Sequence, residues 1–511
     1  MPALFPATDP TQYPAEIDLL RQRLVEHVAE IKHLKLLVAK LQRMHFGQRS
    51  ERWIDSGQLD LGLSSDLQPV PEAPPASVEK ASPSAPKKRI RQGFPDHLPR
   101  ECVFHPPDTA NCPDCGGRLK PLGEDVSEML EYVPASFKVV RHIRPKLACA
   151  CCDHIAQAPA PSRPIPRSFA SPALLAHVMV GKYCDHLPLY RQSGICKRSG
   201  IDLSPATLGG WVGQCHLLLT PLVDALRRYV FLAKKLHADD TPIPVLAPGE
   251  GKTRTGRIWT YVRDDRPAGN DQAPAVWFAY SPNRKGEHPQ AHLKSYRGIL
   301  QADAYAGYNA VYESGRVGEA ACWAHVRRKF FDIHQAQASP MAGEAVRRIG
   351  TLYAIEAELR GKPPDVRVQG RQQSQVILDE LHRWLINLRG KVSQKSDLAL
   401  AIGYALNQWS ALIRYVSDGR IEIDNNAAER SLRAVALGRK NFLFSGSDAG
   451  GERAAAFYSL IGTAKLNGMD PEAYLRTVLA QIADQPINRV EGLLPWNLSL
   501  DTPAAPLRAA A

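Results

Sequence analysis

Three acidic segments, far apart in the chain, constrain this sequence more than any other feature. Asp239 and Asp240 lie inside an apolar run with the pattern of a β-strand, and Asp303 lies at the end of a second such run. Glu429 lies at the start of a helical pattern. Two acids on strands and one on a neighbouring helix can together hold a pair of magnesium ions, which prefer oxygen ligands. Such a pair activates a water or a sugar hydroxyl and stabilises the leaving oxygen of a phosphodiester.

Each segment taken alone also has a simpler interpretation. Asp240 precedes a Thr-Pro pair and could end a strand, while Asp303 could be a surface turn residue. Asn426 and Glu429 have the three-residue spacing of a helix capping box. The order of the segments, strand, strand and then helix, favours one shared metal site over three coincidences.

The charge of the chain favours a polyanionic partner. Its 511 residues include 64 Lys and Arg against 52 Asp and Glu, which gives a net charge of +12. The length exceeds the ~250–300 residues at which single cores stop growing, so several domains are expected. The sequence has neither the basic-then-apolar pattern of a signal peptide nor the ~20-residue apolar run that spans a bilayer. With ten cysteines, this predicts a reducing compartment, the cytoplasm, and no membrane partner.

Residues 15–44 carry a heptad repeat within a predicted N-terminal helical region, residues 1–54. The two apolar positions of the repeat are occupied by Ile17, Leu24, Ile31 and Val38, and by Leu20, His27, Leu34 and Leu41. This is the seam of a coiled coil, which predicts that chains pair as a homodimer or a higher homo-oligomer. The alternative is an amphipathic helix packed on its own protein.

A predicted flexible linker, residues 55–97, follows this helix. It is rich in Pro, Ser, Ala and Gln and has too few large apolar side chains to fold alone. It ends in a basic run, Lys87–Arg91, which is either a solvated tether or a contact to the DNA backbone.

The next predicted domain, residues 98–165, has the cysteine spacing of a structural zinc site. Its ligands would be two Cys-x2-Cys pairs, Cys112 with Cys115 and Cys149 with Cys152, which can close a tetrahedral site around one zinc. The stretch between the pairs can hold a hairpin, with strands at 129–133 and 137–143. The alternative is a scatter of free thiols, and Cys151 is the spare member. The other cysteines are expected to be ordinary buried residues: Cys102, Cys184, Cys196, Cys215 and Cys322.

Residues 166–232 are predicted to form a helical DNA-binding domain. One helix begins at Ser171-Pro172 and another at Ser204-Pro205, since Ser caps a helix N-terminus and Pro suits the first turn. A helix, a turn and a capped helix in succession are typical of a helix-turn-helix, whose second helix enters the major groove. An ordinary helical domain is the alternative.

Residues 233–450 are predicted to form an α/β catalytic core with a helical insertion at about 330–420, followed by a C-terminal helical element and tail, residues 451–511. The predicted strands are Lys235–Leu246, Gly256–Val262, Ala275–Tyr280, Gly298–Asp303 and Glu319–Trp323, and the predicted helices are Pro289–Ser295, Val376–Leu388 and Leu398–Val416. The whole chain is therefore predicted to be a multidomain α+β protein.

Further motifs accompany the acidic segments along most of the chain. They are Phe46–Arg52, the double cysteine pair, Lys182-Tyr183 with Leu187–Arg191, Asp303–Tyr308, Cys322–Arg328, Asp424–Arg430 and Gly438–Asn441. Taken together and in this order, they resemble the transposases of the insertion-sequence-66 family. The resemblance implies a ribonuclease-H-like core of the DDE type, with Asp239, Asp303 and Glu429 as the catalytic triad. The family usually has Asp-Glu-Thr where this chain has Asp239-Asp240-Thr241, and strand alternation lets one of the two acids point into the site without saying which.

The resemblance implies a DNA transposase that cuts at insertion-sequence ends and joins the 3′ ends to target DNA. It implies two catalytic magnesium ions on the triad and one structural zinc. The expected DNA-binding residues are Arg430, Arg433, Arg439 and Lys440. His325 either assists at the site or is a satisfied core histidine, and the second interpretation is favoured. The implied partners are the terminal inverted repeats, target DNA and accessory proteins encoded by the same element, in a nucleoid-associated bacterial protein.

Two other functions are compatible with the same sequence. A nuclease with this core would cut without strand transfer, and an assay for joining of a labelled 3′ end into a plasmid separates the two. A non-catalytic zinc-containing DNA-binding protein derived from a transposase would lack the chemistry. The intact acids count against it, because a pure binder has no need of carboxylates beside phosphates. Metal-dependent cleavage of terminal-repeat DNA decides between them.

Overall fold

The computed structural model describes residues 161–499 without a gap, together with residues 136–144, 146–148, 155–157 and a set of helical positions between 23 and 37. The chain divides into two compact units, residues 51–142 and the remainder. The predicted linker, the four predicted zinc ligands and half of the eight heptad positions lie outside the described residues. Among the described residues, no helix is long and apolar enough to cross a membrane.

The predicted second strand of the hairpin, residues 137–143, is wrong, because residues 136–144 have no regular secondary structure. Val139 is 95 % exposed there, and a strand of apolar side chains forms only where a neighbouring surface buries them. Two short strands, β1 (Lys146–Ala148) and β2 (Ile155–Gln157), pair antiparallel instead.

Three helices begin the continuous part of the structure: α1 (Pro172–Tyr183), α2 (Leu189–Arg198) and α3 (Pro205–Phe231). The two predicted helix starts are confirmed. Ser171 and Ser204 each accept a hydrogen bond, through the side-chain oxygen, from the amide three residues further on. The apolar faces of α1 and α3 belong to the same buried core as the sheet that follows.

The sheet has five strands: β3 (Lys235–Leu246), β4 (Thr253–Arg263), β5 (Ala275–Ser281), β6 (Gly298–Gln301) and β7 (Val317–Ala320). Their order is β5-β4-β3-β6-β7, with antiparallel pairing from β5 to β3 and parallel pairing from β3 to β7. The five predicted strands are present, but the last ends before Trp323. Beyond Ala320 the chain leaves the sheet, because the Ala321 and Trp323 amides donate to the Ala411 and Ile423 carbonyls, each at 3.1 Å, and Trp323 begins a helix.

Strand β6 needs a glycine at its first position to lie beside β3. Gly298 has a φ of +150°, and a Cβ added there would lie 2.4 Å from the Lys234 carbonyl oxygen. Glycine alone tolerates this approach without strain. This close contact fixes the alignment of β6 with β3. Asp303, which follows β6, therefore lies beside β3.

Eleven further helices complete the described part of the chain: α4 (Glu287–His292), α5 (Asn309–Glu313), α6 (Trp323–Gln337), α7 (Pro340–Leu359), α8 (Pro364–Gly370), α9 (Gln372–Arg389), α10 (Asp397–Asn407), α11 (Trp409–Ser417), α12 (Asn426–Asn441), α13 (Asp448–Leu466) and α14 (Pro471–Gln481). Helices α6 to α11 form the insertion, whose hydrophobic core is separate from that of the sheet. The predicted helix Leu398–Val416 is two helices, because Gln408 leaves the helical conformation with φ −108° and ψ 12°.

Helix α13 protects the outer edge of the sheet. Ser459 Oγ accepts a hydrogen bond from Phe278 N at 2.8 Å, and Thr463 Oγ1 accepts one from Val276 N at 3.1 Å. These hydroxyls satisfy backbone donors of β5 that would otherwise be available to another chain. The edge is therefore closed by the C-terminal part of the chain.

Candidate active site

Parallel pairing of β3 and β6 brings two of the predicted acids to one end of the sheet. His237 pairs with Gln301 in the register of the two strands. Continuing that register by two residues sets Asp239 opposite Asp303, just past the end of β6. Both acids are partly exposed at this position.

The neighbouring acids Asp239 and Asp240 have different surroundings. The Asp240 side chain is 1 % exposed and forms ion pairs with two arginines, at 2.8 and 3.0 Å. Burial raises the pKa of Asp239 to about 8, with further contributions from the nearby charges of Asp303, Asp240 and Glu429. Asp239 therefore lies close enough to the other two predicted triad members to feel their charges, while the Asp240 carboxylate is paired with two arginines.

Glu429 lies in the first turn of α12, and the buried side chain of Asn425 fixes the start of this helix. Asn425 Nδ2 donates to the Ala238 carbonyl at 2.8 Å, and Asn425 Oδ1 lies 3.1 Å from His237 Nδ1. The backbone N–H of Asn425 donates to Cys322 Sγ at 3.1 Å. One residue thus ties the helix to β3 and to the segment that precedes α6.

The capping-box interpretation of Asn426 and Glu429 is wrong. The N-cap residue is Asn425, and its side chain makes no capping hydrogen bond. Asn426 Nδ2 donates to Asp424 Oδ2 at 2.7 Å, and Glu429 Oε1 is buried without a hydrogen-bond partner among the described residues. A buried carboxylate oxygen without a donor is costly, so a site that keeps one is suited to a cation.

Two side chains of α6 approach Glu429. His325 Nε2 lies 3.7 Å from Glu429 Oε1, and Arg328 Nη2 lies 3.6 Å from Glu429 Oε2. His325 Nδ1 is buried without a hydrogen bond to any described residue, so the favoured interpretation as a satisfied core histidine is wrong. Burial lowers the pKa of His325, which favours the neutral imidazole.

The predicted acids are spread more widely than the ligands of a single ion. In the described part of the chain, one group of three potential ligands has all its ligand atoms within 4.8 Å of one another, and it consists of Cys322, His325 and Glu429. Asp239 and Asp303 lie outside that group. A divalent cation beside Asp239 would relieve the repulsion that contributes to its raised pKa.

Arg284, which the sequence analysis did not identify, lies between two of the acidic segments. Its Nη2 is 2.8 Å from Asp240 Oδ1 and 3.8 Å from Asp303 Oδ2, and its guanidinium stacks 4.2 Å from the centre of the Tyr305 ring. Nothing in the local sequence around Arg284 indicates this role. Asn425 and Arg328 were also missed, although both lie inside motifs that carried the family resemblance.

The four basic residues predicted to contact DNA all lie on α12. Arg430, Arg433 and Lys440 are exposed. Arg439 is partly buried, and its Nη1 donates to the Pro242 carbonyl at 2.6 Å. Three of the four side chains are therefore accessible to a phosphate backbone, while Arg439 also holds α12 against β3.

The raised pKa of Asp239 predicts how pH affects the stability of the metal-free protein. At pH values between 3.8, the ordinary pKa of an aspartate, and about 8, Asp239 is protonated in the folded state but has lost its proton in the unfolded state. The free energy of unfolding therefore falls as pH rises through this window. Replacing Asp239 by Asn should remove that part of the fall, and magnesium should stabilise the unsubstituted protein more at the upper end of the window. Melting temperatures measured across the window test this, and identical pH profiles for the two proteins would contradict it.

Comparison with known proteins identifies the family. A family model described as "Transposase IS66 family" matches residues 167–453, more than half of the chain. Models for the zinc-finger binding domain of transposase IS66, for the IS66 C-terminal element and for "Transposase C of IS166 homeodomain" match residues 109–153, 459–496 and 33–103. The chain therefore belongs to the IS66 family of transposases, which confirms the resemblance drawn from its motifs. Its zinc-finger segment supports zinc as a bound metal.

Two relatives align with this chain over nearly its whole length. The uncharacterized protein y4hP of Sinorhizobium fredii (strain NBRC 101917 / NGR234) is 41 % identical over 503 residues, which cover 93 % of this chain and 90 % of the relative. The uncharacterized protein y4jD of the same strain is 38 % identical over 509 residues, which cover 96 % and 98 %. The similarity thus extends over nearly the whole length of each chain.

Proposed function

We propose that this chain cuts DNA strands at insertion-sequence ends and joins the freed 3′ ends to target DNA, with two magnesium ions held by Asp239, Asp303 and Glu429. The observation that carries the proposal is the parallel pairing of β3 with β6, whose register sets Asp239 opposite Asp303. Burial and the charges of Asp303, Asp240 and Glu429 raise the pKa of Asp239, which is consistent with a cluster of acids at this position. Two further facts support it. The chain belongs to a transposase family, and the strand order resembles that of a ribonuclease-H-like core.

The residues of the site have separate roles in this proposal. Bound there, the two ions would supply activation of the attacking hydroxyl or water and charge stabilisation of the leaving oxygen. Asn425 positions Glu429 by fixing the start of α12. The neutral His325, whose Nε2 lies 3.7 Å from Glu429, can accept a proton from the attacking group. Arg430, Arg433, Arg439 and Lys440 would contact phosphates on either side of the cleaved bond.

Cleavage of terminal-repeat DNA tests the proposal. Full-length protein and a labelled duplex that carries the terminal inverted repeat should give a nick at the repeat end with magnesium. A duplex of scrambled sequence serves as the control. Binding without cleavage, in magnesium or manganese, would support the non-catalytic zinc-containing DNA-binding protein instead.

The zinc ligands are assigned by spacing. We propose Cys112, Cys115, Cys149 and Cys152, which all lie within the matched zinc-finger segment at residues 109–153. Elemental analysis should give about one zinc per chain, and replacing Cys112 by Ser should remove it. Reduced, full-length protein without zinc would overturn the assignment.

Residues 166–232 are proposed to contact DNA.

The N-terminal helix is proposed to pair two chains. The seam positions Leu24, Ile31 and Leu34 are helical and are 65 %, 51 % and 52 % exposed in the single chain. Pairing would bury them. Deleting residues 15–44 should lower the mass measured by light scattering, and an unchanged mass would point to another role for the helix.

A further inference from the structure

A small cavity of about 230 Å³ lies between the helices that precede the sheet and the C-terminal half of β3. Residues of α1, α2, α3, β3, α12 and α13 contribute to its walls. Lys182, Arg439 and Arg453 line it, and none of the described residues that line it is acidic. The volume is below the ~300–1,000 Å³ of pockets for drug-sized ligands. The cavity is therefore positively charged and has room for a single ring system.

Two of its cations are kept away from carboxylates. Lys182 Nζ lies over the Phe442 ring at 4.7 Å, and burial lowers its pKa. The Arg453 guanidinium packs against α3, 3.3 Å from where a Cβ on Gly213 would lie. Neither side chain forms an ion pair with a carboxylate of the described residues. Partly buried cations without counter-charges are suited to an anion supplied by a ligand.

Aromatic rings form another part of the wall. Phe442, Phe444 and Tyr458 line the cavity, and Phe444 is 42 % exposed at its edge. The backbone that carries the first two rings is fixed to β3, since Ser445 N donates to the Pro244 carbonyl at 2.8 Å. Aromatic rings beside unpaired cations are the combination that binds single-stranded nucleic acid, by stacking on the base and neutralising the phosphate.

The cavity lies within reach of DNA held at the acidic site. Pro244 follows Asp239 by five residues of β3, or about 16 Å at ~3.3 Å per residue. Arg439 follows Glu429 by ten residues of α12, or about 15 Å at 1.5 Å per residue. Stacked nucleotides rise ~3.4 Å each along one strand, so about four or five of them span either distance.

We propose that this cavity binds one unpaired nucleotide of the DNA, with the base against the aromatic rings and its phosphate on Lys182 and Arg453. The proposal rests on the proposed function for its DNA partner and adds a second point of contact. Unpaired DNA near the cleaved bond would thereby bind more tightly than a fully paired duplex.

A substitution that fills the cavity tests this. Gly209 lines the cavity, and a Cβ there would meet a single atom, of Leu189, at 3.9 Å, so Gly209→Leu fits without a clash at the backbone. Gly210 is the next residue of the same helix, does not line the cavity and has open space around it, so Gly210→Leu is a matched control. The probes are a blunt duplex of ~20 base pairs, two helical turns, and the same duplex with a short unpaired 3′ extension. Calcium replaces magnesium so that the strands stay intact.

For the full-length protein, Gly209→Leu should raise the Kd for the extended duplex about tenfold, the loss expected when one stacked base is removed. The Kd for the blunt duplex should stay the same, and Gly210→Leu should change neither. If Gly209→Leu fails to fold, the double variant Lys182→Gln, Arg453→Gln should give the same selective loss, with Lys391→Gln as its control. Equal losses on both duplexes, or none on either, overturn the inference and leave the proposed function standing. Failure of the unsubstituted protein to bind either duplex overturns both.

Discussion

Replacing Glu429 by Gln is expected to lower the rate of DNA strand cleavage about 1,000-fold, the upper end of the range typical for losing one stabilising group in an active site. The side chain keeps its size, so the fold should not change. One negative charge is lost beside Asp239, which removes a metal ligand from the proposed site. DNA binding should persist or tighten slightly, because a negative charge near the phosphates is removed. A gel-based cleavage assay and a separate binding titration measure the two effects.

Three further substitutions make this test specific. Glu452 is exposed on the neighbouring helix α13, and Glu452→Gln should cleave at the normal rate. Asp240→Asn should be milder than Asp239→Asn, because the arginines around Asp240 already neutralise its charge. A fully active Glu429→Gln protein would remove Glu429 from the mechanism.

Replacing Glu356 by Ala is expected to destabilise the helical insertion by about 3–5 kcal/mol, the cost of leaving the buried Arg371 without a carboxylate partner. Arg371 donates to both Glu356 oxygens, at 2.6 and 2.7 Å, and Arg367 Nη2 lies 3.3 Å from Oε2. The three residues are at most 7 % exposed. The same arginines donate to the carbonyls of Gly419 and Ile421, so the network also holds the chain that leads to α12 and Glu429.

Glu344 provides a matched control on the same helix, α7. Its carboxylate contacts Arg347 and Arg348 at 2.7 Å, but Arg347 is 69 % exposed. An exposed ion pair contributes little, so Glu344→Ala should leave the urea midpoint almost unchanged. Similar midpoints for Glu356→Ala and Glu344→Ala would show that the buried network does not stabilise the insertion.

Most of the correct predictions from the sequence came from the apolar patterns of the strands. The apolar alternation from Lys235 to Leu246 and the run that ends at Asp303 were enough to place Asp239 within one strand and Asp303 next to the end of another. Capped helix starts at Ser171 and Ser204 were equally readable, because capping depends on residues within one turn. Tertiary packing in this protein favours the same helices and strands as these local sequence patterns, so the patterns predict them correctly.

Contacts between distant segments were beyond sequence reasoning. The alternation of side chains along β3 could not show which of Asp239 and Asp240 faces the other acids. The difference between them arises from Arg284, which follows β5 and donates to Asp240 on β3. The position of Glu429 likewise depends on Asn425, which bonds to residues far away in the chain. The strand predicted at 137–143 failed for the opposite reason, because an apolar pattern without a covering surface does not form a strand.

Joining of a labelled 3′ end to a plasmid is the most direct test of the central claim. A pre-cut duplex that ends in the terminal repeat, with its label near the exposed 3′ hydroxyl, is incubated with full-length protein, magnesium and supercoiled plasmid. The label should become covalently attached to the plasmid, and Glu429→Gln protein should give no joined product. Cleavage of an uncut repeat without any joining would instead identify a nuclease, and joining by the Glu429→Gln protein would contradict the assignment of the site.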